Sequence, residues 1–254
     1  MLLKSHYLLS RRMKMQFYKY EATQNDFILT LNQTFEPQQV QKLCDVHQGI
    51  GADGIINIDQ LRIITIYNKD GSKAAMCGNG LRCVSHLLYD LTAQSNHKVQ
   101  VLEKEIYLSY LKKDYAQLSM QSPCFIKKKN KDFPGYFIDV GNLHFVQFID
   151  HIDSFFFDEK LKNFSKENHC NIEVIQQIDK ENIKMRVYEY GVQETQSCGS
   201  GALACFYLLY QFQLCKNNLK IYVPGGILEV FVNNEGYFLK GPVHFLYKGE
   251  IDNE

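Results

Sequence analysis

The stretch Asn68-Lys69-Asp70-Gly71-Ser72-Lys73-Ala74-Ala75-Met76-Cys77-Gly78-Asn79-Gly80-Leu81-Arg82-Cys83 recurs in altered form as Glu189-Tyr190-Gly191-Val192-Gln193-Glu194-Thr195-Gln196-Ser197-Cys198-Gly199-Ser200-Gly201-Ala202-Leu203-Ala204. Each copy reaches Cys-Gly-polar-Gly and then enters an apolar, helix-compatible segment. The first segment carries Leu81, Cys83, Val84, Leu87 and Leu88; the second runs from Ala202 to Tyr210. Cys77 and Cys198 stand 121 residues apart in a chain of 254, one in each half. The pattern reads as a duplicated unit with one cysteine at the same structural position in each copy.

Glycines on both sides of a polar residue allow a tight turn and close approach of the backbone to a ligand. The helix that follows points free N–H groups and its positive dipole end forward, which favours an anion. A cysteine at that place is expected to have its thiolate stabilised and its pKa lowered. Two such units face to face would make a cleft with a carboxylate clamp and two thiols. A planar carbanion between them could lose a proton from one face and regain it on the other. That chemistry is a two-base racemase or epimerase needing no pyridoxal cofactor.

The rest of the chain narrows the setting. Hydrophobic content of 45% with 22% charged residues is that of a soluble globular protein. Lys+Arg and Asp+Glu balance at 28 each, which argues against nucleic acid or an anionic membrane as partner. Eight cysteines are present, none in a CxxC pair or with structural-zinc spacing, so no metal is expected and the reducing cytoplasm fits best. The basic N-terminus, residues 1–14, holds only short apolar runs. It reads either as a short disordered extension or as sequence ahead of a start at Met13 or Met15.

Taken in order, Gln16–Tyr20 alternates as a first strand, Gln24–Phe27 reads as a turn, and Ile28–Leu31 as a second strand. Glu36–His47 has helical spacing, with Pro37 in the first turn. Gly49-Ile50-Gly51-Ala52-Asp53-Gly54 lies between a helix and a strand. That is the wrong context for a dinucleotide fingerprint, and a tight loop is the better account. Leu61–Tyr67 leads into the first cysteine motif, as Met185–Tyr188 leads into the second. Pro123–Pro134, with its lysine run, reads as the crossing between halves.

The expected fold class is α+β: two pseudo-symmetric domains, each a mostly antiparallel sheet around one long central helix. The expected division is 1–14 extension, 15–125 first half, 126–242 second half, and 243–254 a C-terminal strand returning to the first half. Cys44, Cys83, Cys205 and Cys215 read as buried small hydrophobes. His47 and His86 read as core or helix-face residues, and Asp70 and Glu194 as caps near helix starts.

The stretches Asn25-Asp26-Phe27, Gly49 to Gly54, Asn68-x-Asp70-Gly71-Ser72, Cys77-Gly78-Asn79-Gly80-x-Arg82-Cys83, Gly141-Asn142-x-His144, Glu194-Thr195-Gln196-x-Cys198-Gly199-Ser200-Gly201 and Pro224-Gly225-Gly226 together resemble the diaminopimelate epimerase family. The resemblance runs across nearly the whole chain from Gln16. It implies barrel-like halves with the site in the cleft between them, and Cys77 and Cys198 as the two bases, one thiolate and one thiol. It implies that backbone N–H groups at Gly78-Asn79 and Gly199-Ser200 hold the carboxylate of the reacting centre. His144 and Glu189 match positions that tune the thiols. Asn25, Asn68, Asn142 and Asn171 match asparagines that bind substrate, chiefly its distal end, with Glu189 and Tyr190 beside them. The family resemblance further implies a cofactor-free cytoplasmic homodimer that interconverts LL- and meso-2,6-diaminopimelate for lysine and peptidoglycan synthesis.

Two positions depart from the pattern. Tyr190 stands where the family usually has Arg; a guanidinium would pair bidentately with a distal carboxylate, whereas a tyrosine offers one neutral donor. Leu143 replaces a proline before His144. The sequence therefore also admits a related racemase for another amino acid, or a non-catalytic relative that keeps the cleft to bind an amino acid.

Overall fold

The computed structural model describes residues 14–111, 114–127, 130–131 and 133–252. Residues 1–13 of the expected extension, and residues 128 and 129 of the lysine run, lie outside the described residues. Lys14 already belongs to the first strand, Lys14–Ala22.

Among the described residues, four α-helices punctuate an eighteen-stranded sheet: α1 (Pro37–Cys44), α2 (Gly78–Thr92), α3 (Glu159–Asn168) and α4 (Gly199–Gln211). The halves repeat one another element by element. In the first, Asn25–Leu31 runs parallel to Gly54–Asp59 with α1 as the crossover. Gly54–Asp59 pairs antiparallel with Ile63–Asn68, which leads through the cysteine loop into α2. In the second, Leu143–Phe148 runs parallel to Asn171–Gln177 with α3 as the crossover. Asn171–Gln177 pairs antiparallel with Asn182–Glu189, which leads into α4. After each long helix comes a parallel pairing and then an antiparallel meander. Most pairings are antiparallel, so the mixed α+β class with two repeated halves is what the chain adopts.

The halves join edge to edge where Tyr115–Met120 pairs antiparallel with Gly236–Pro242, Leu118 opposite Leu239. The final strand, His244–Asp252, lies antiparallel to Lys14–Ala22. Cys124–Phe125, at the start of the stretch Pro123–Pro134, pairs antiparallel with Tyr136–Asp139.

The helix α4 is buried because it is apolar on almost every side, whereas α2 buries Asn79, Arg82, Ser85 and His86 beside its apolar residues. In α2, Leu81, Cys83, Val84, Leu87 and Leu88 are buried, and in α4 so are Ala202 to Phe206. Each large side chain so placed is worth about 1.5–3 kcal/mol relative to exposure. Cys44, Cys83, Cys205 and Cys215 are buried. His86 is buried on α2, but His47 is an exposed turn residue beyond the end of α1, since that helix stops at Cys44.

The expected turn at Gln24–Phe27 is shorter than its composition suggests. Thr23 and Gln24, with φ of 52° and 61°, make a two-residue hairpin, and Asn25 and Asp26 already pair with Ala22 and Glu21. A buried threonine in this left-handed region is sustained by its bonds: its hydroxyl donates to Ala22 O at 2.8 Å and lies 2.6 Å from Ser197 Oγ of the other half.

Candidate active site

The N-termini of α2 and α4 converge on one cavity of about 640 Å³. Their backbones touch at Gly78 and Gly199. A Cβ built on Gly199 would lie in van der Waals contact with Gly78 Cα at 3.5 Å and would press on Leu239 Cδ2 at 2.7 Å. Both positive helix ends therefore face the same space, which suits a carboxylate.

Each cysteine is the N-cap residue of its helix. Cys77 (φ −148°, ψ 104°) and Cys198 (φ −134°, ψ 116°) share one extended backbone conformation. Gly80 N–H donates to Cys77 Sγ at 3.3 Å, and Gly201 N–H donates to Cys198 Sγ at 3.4 Å. The residues expected to cap sit elsewhere. Asp70 accepts from Ser72 N–H and Oγ–H in the preceding turn, and Glu194 is paired with Arg186 at 2.7 Å.

The expected lowering of the thiol pKa values does not occur. Burial pushes Cys77 up to about 11; the Gly80 N–H and the Arg82 charge offset part of this, while Glu189 adds to it. Burial pushes Cys198 well above the ordinary value, and Glu189 and Glu173 raise it further against the pull of Ser200 and the Gly201 N–H. Desolvation of a thiolate exceeds what one N–H and a helix end return. A thiolate that does form is correspondingly basic.

Of the residues singled out from the sequence, Asn25, Cys77, Gly78, Asn79, Asn142, Glu189, Cys198, Gly199 and Ser200 line the cavity; Asn68, His144, Asn171 and Tyr190 do not. Glu189 accepts from the Thr195 hydroxyl, burial raises its pKa, and its charge raises the Cys198 thiol, whose Sγ lies 3.3 Å from Ser200 Oγ. His144 is fully buried, with Nδ1 2.6 Å from Glu173 Oε1 and Nε2 3.1 Å from Asn142 Oδ1. Asn68 donates to Ser72 Oγ at 3.0 Å. Asn171 accepts from Tyr190 N–H at 2.9 Å. The exposed Tyr190 hydroxyl lies 2.9 Å from His169 Nδ1, a local partner rather than the cleft.

Several contributors went unassigned in the sequence. Arg82 is fully buried and donates to Thr23 Oγ1 at 2.9 Å, Asn79 Oδ1 at 3.1 Å and Pro242 O at 3.1 Å. Asn79 in turn donates to Ser197 Oγ at 2.9 Å, so a buried polar network ties the two cysteine loops together across the halves. Lys104, bonded to Gln121 at 2.8 Å, brings a cation to the cavity wall. Glu173 was legible as a lone acid within the apolar run Ile172-Glu173-Val174-Ile175. Among the described residues no group of three or more His, Cys, Asp or Glu is placed to hold a metal ion. None of the helices is long and apolar enough to cross a membrane.

Comparison with known proteins agrees with this geometry. The family model for diaminopimelate epimerase matches residues 17–122 and again 136–246. A diaminopimelate epimerase of Prochlorococcus marinus (strain NATL1A) is 34% identical over 283 residues, covering 94% of this chain and all of the relative. One of Corynebacterium glutamicum (strain R) is 32% identical over 272 residues, covering 92% and 97%. Among solved structures, a predicted epimerase from Pseudomonas aeruginosa superposes with TM-score 0.76 at 12% identity, covering 94% of this chain and all of the other. A probable proline racemase from Agrobacterium radiobacter K84, with bound carbonate, gives 0.71 at 10% identity, covering 94% and 93%. At such identities the structures speak for the shared fold alone.

Proposed function

The chain belongs to the diaminopimelate epimerase family and is an isomerase, and from that premise we propose that it interconverts LL- and meso-2,6-diaminopimelate by proton transfer between two thiols, without pyridoxal phosphate. The observation that carries the reading is the convergence of two cysteine-capped helix N-termini on one cavity. The substrate α-carboxylate sits between the N–H groups at Gly78-Asn79 and Gly199-Ser200. One cysteine, as thiolate, takes the α-proton. The C–H electron pair delocalises into the carboxylate, whose growing charge the helix ends stabilise. The other cysteine, as thiol, delivers its proton to the opposite face and is left as the thiolate. Glu189 tunes the Cys198 thiol, and Asn25 and Asn142 hold the substrate from the cavity wall. On this reading the protein works as a cytoplasmic homodimer and feeds lysine and peptidoglycan synthesis.

A second reading keeps the chemistry and changes the amino acid. Tyr190 is tied to His169 and offers no guanidinium for a distal carboxylate. The test is solvent deuterium incorporation at the α-carbon by reduced protein with no added cofactor, using LL-diaminopimelate beside a panel of free amino acids. Exchange with diaminopimelate alone supports the first reading. Exchange with another amino acid instead moves the substrate. Exchange with none overturns both and leaves an amino-acid-binding module.

A further inference from the structure

Glu173 and His144 occupy places where the first half has only hydrocarbon. Strands Gly54–Asp59 and Asn171–Gln177 are equivalent, each parallel to the strand ahead of its crossover helix. A Cβ built on Gly80 would meet Ile56 Cδ1 at 2.4 Å, and one built on Gly201 would meet Glu173 Oε1 at 2.4 Å. Ile56 and Glu173 thus fill the same pocket beneath the first turn of their helices. Phe27, paired with Gly54, likewise corresponds to His144, paired with Asn171. The second half has put a carboxylate and an imidazole, both fully buried, where an apolar pair would pack. Removing two ionisable groups from water is costly, and a hydrophobic pair of similar volume is commonly at least as stable. Oε2 of Glu173 has no hydrogen-bond partner among the described residues, which adds to that cost. Packing therefore does not account for the pair.

Its direction does. Glu173 Oε1 accepts from His144 Nδ1–H at 2.6 Å, and the opposite ring nitrogen meets Asn142 Oδ1 at 3.1 Å. Asn142 stands on the cavity wall. We propose that Glu173 is a positioning residue: its carboxylate keeps the His144 proton on Nδ1, so that Nε2 is an acceptor, and the Asn142 amide, which makes no other side-chain bond among the described residues, turns its Nδ2–H rather than Oδ1 toward Nε2 and is thereby fixed at the cavity wall. A carboxylate that orients a histidine through one ring nitrogen while the other does the work is a recurrent device, and its loss typically costs about 10–100-fold in function. The activity arm of this inference rests on the proposed epimerase reaction; the spectroscopic arm does not.

The experiment compares the parent chain with Glu173→Gln and with the double replacement His144→Phe/Glu173→Ile, which copies the first half. Nitrogen-15 spectra of histidine-labelled protein, without substrate, report where the His144 proton sits. In the parent it sits on Nδ1, and in Glu173→Gln it spreads onto Nε2. In the α-proton exchange assay, kcat/KM of Glu173→Gln falls about 10–100-fold with thermal stability kept. The double replacement falls at least as far while melting no lower than the parent. An unchanged His144 spectrum in Glu173→Gln, or exchange within about twofold of the parent for either variant, would overturn the assignment. Should the parent exchange no amino acid at all, the epimerase reading fails, and the spectra alone still decide whether Glu173 sets the ring.

Discussion

Behind Cys77 the first half places Phe27 and Ile56, with the buried Arg82 charge on the same helix. Behind Cys198 the second half places His144 and Glu173, with the Glu189 charge acting on the thiol and Leu203 where Arg82 would stand. The backbones are near copies, down to the capping bond from glycine N–H to sulfur. The electrostatics differ: Glu189 raises both thiols, but Arg82 offsets part of this at Cys77 while Glu173 adds to it at Cys198. Two-base proton transfer requires one thiolate and one thiol at the same moment. A perfect duplication would give two equal thiols; the divergence of the second layer makes them unequal.

The largest expected effect tests whether both halves take part. Cys77→Ser and Cys198→Ser should each reduce α-proton exchange on the order of 1,000-fold while leaving ligand binding, measured calorimetrically, intact. Full activity in either would end the two-thiol account. Next comes pH. On the proposed mechanism one thiol must ionise, and burial raises both, Cys77 to about 11. Thus kcat/KM should climb about tenfold per pH unit from 8 to 10 and fall only when the second thiol ionises. A flat profile over that range would mean that one thiol is already ionised at neutral pH.

Smaller effects sharpen the inequality. Glu189 raises both thiols; Arg82 offsets it at Cys77, while Glu173 adds to it at Cys198. In Glu189→Gln, iodoacetamide should alkylate Cys198 several-fold faster, with less change at Cys77, as read by peptide mass spectrometry. Equal acceleration of both would place the carboxylate evenly between them. Last are the glycines beneath the cysteines. Gly80→Ala presses on the free end of Ile56, which can swing aside; Gly201→Ala presses on Glu173, which is tied to His144. Both should destabilise by about 1–3 kcal/mol in chemical denaturation, Gly201→Ala by the larger amount.

The duplication, the strand-to-helix passage at each cysteine and the two apolar central helices were legible because they rest on local pattern. Ala202 to Tyr210 announces a buried helix through its lack of a polar face, and Leu81 to Leu88 through its apolar residues Leu81, Val84, Leu87 and Leu88; that Arg82, Ser85 and His86 are buried as well was not legible. The sign of the thiol shifts was not legible, because burial depends on what packs over the loop, and helix-end stabilisation is the smaller effect. The capping role given to Asp70 and Glu194 went instead to the cysteines, since the chain turns once more before each helix begins. Of the asparagines, Asn25 and Asn142 reach the cavity, while Asn68 and Asn171 are spent on local bonds.

By itself the sequence determined that the protein is built twice, that each copy carries a cysteine before a glycine-flanked helix start, and that an isomerase family shares this pattern. These properties are local, written in spacing and side-chain type. Only the tertiary structure decided which residues stand behind each thiol. Residues as distant as Thr23 and Ser197, or His144 and Glu173, meet through sheet register and the joining of two half-barrels. Charge and desolvation act through space, so the inequality of the two cysteines emerges only once the chain has folded around them.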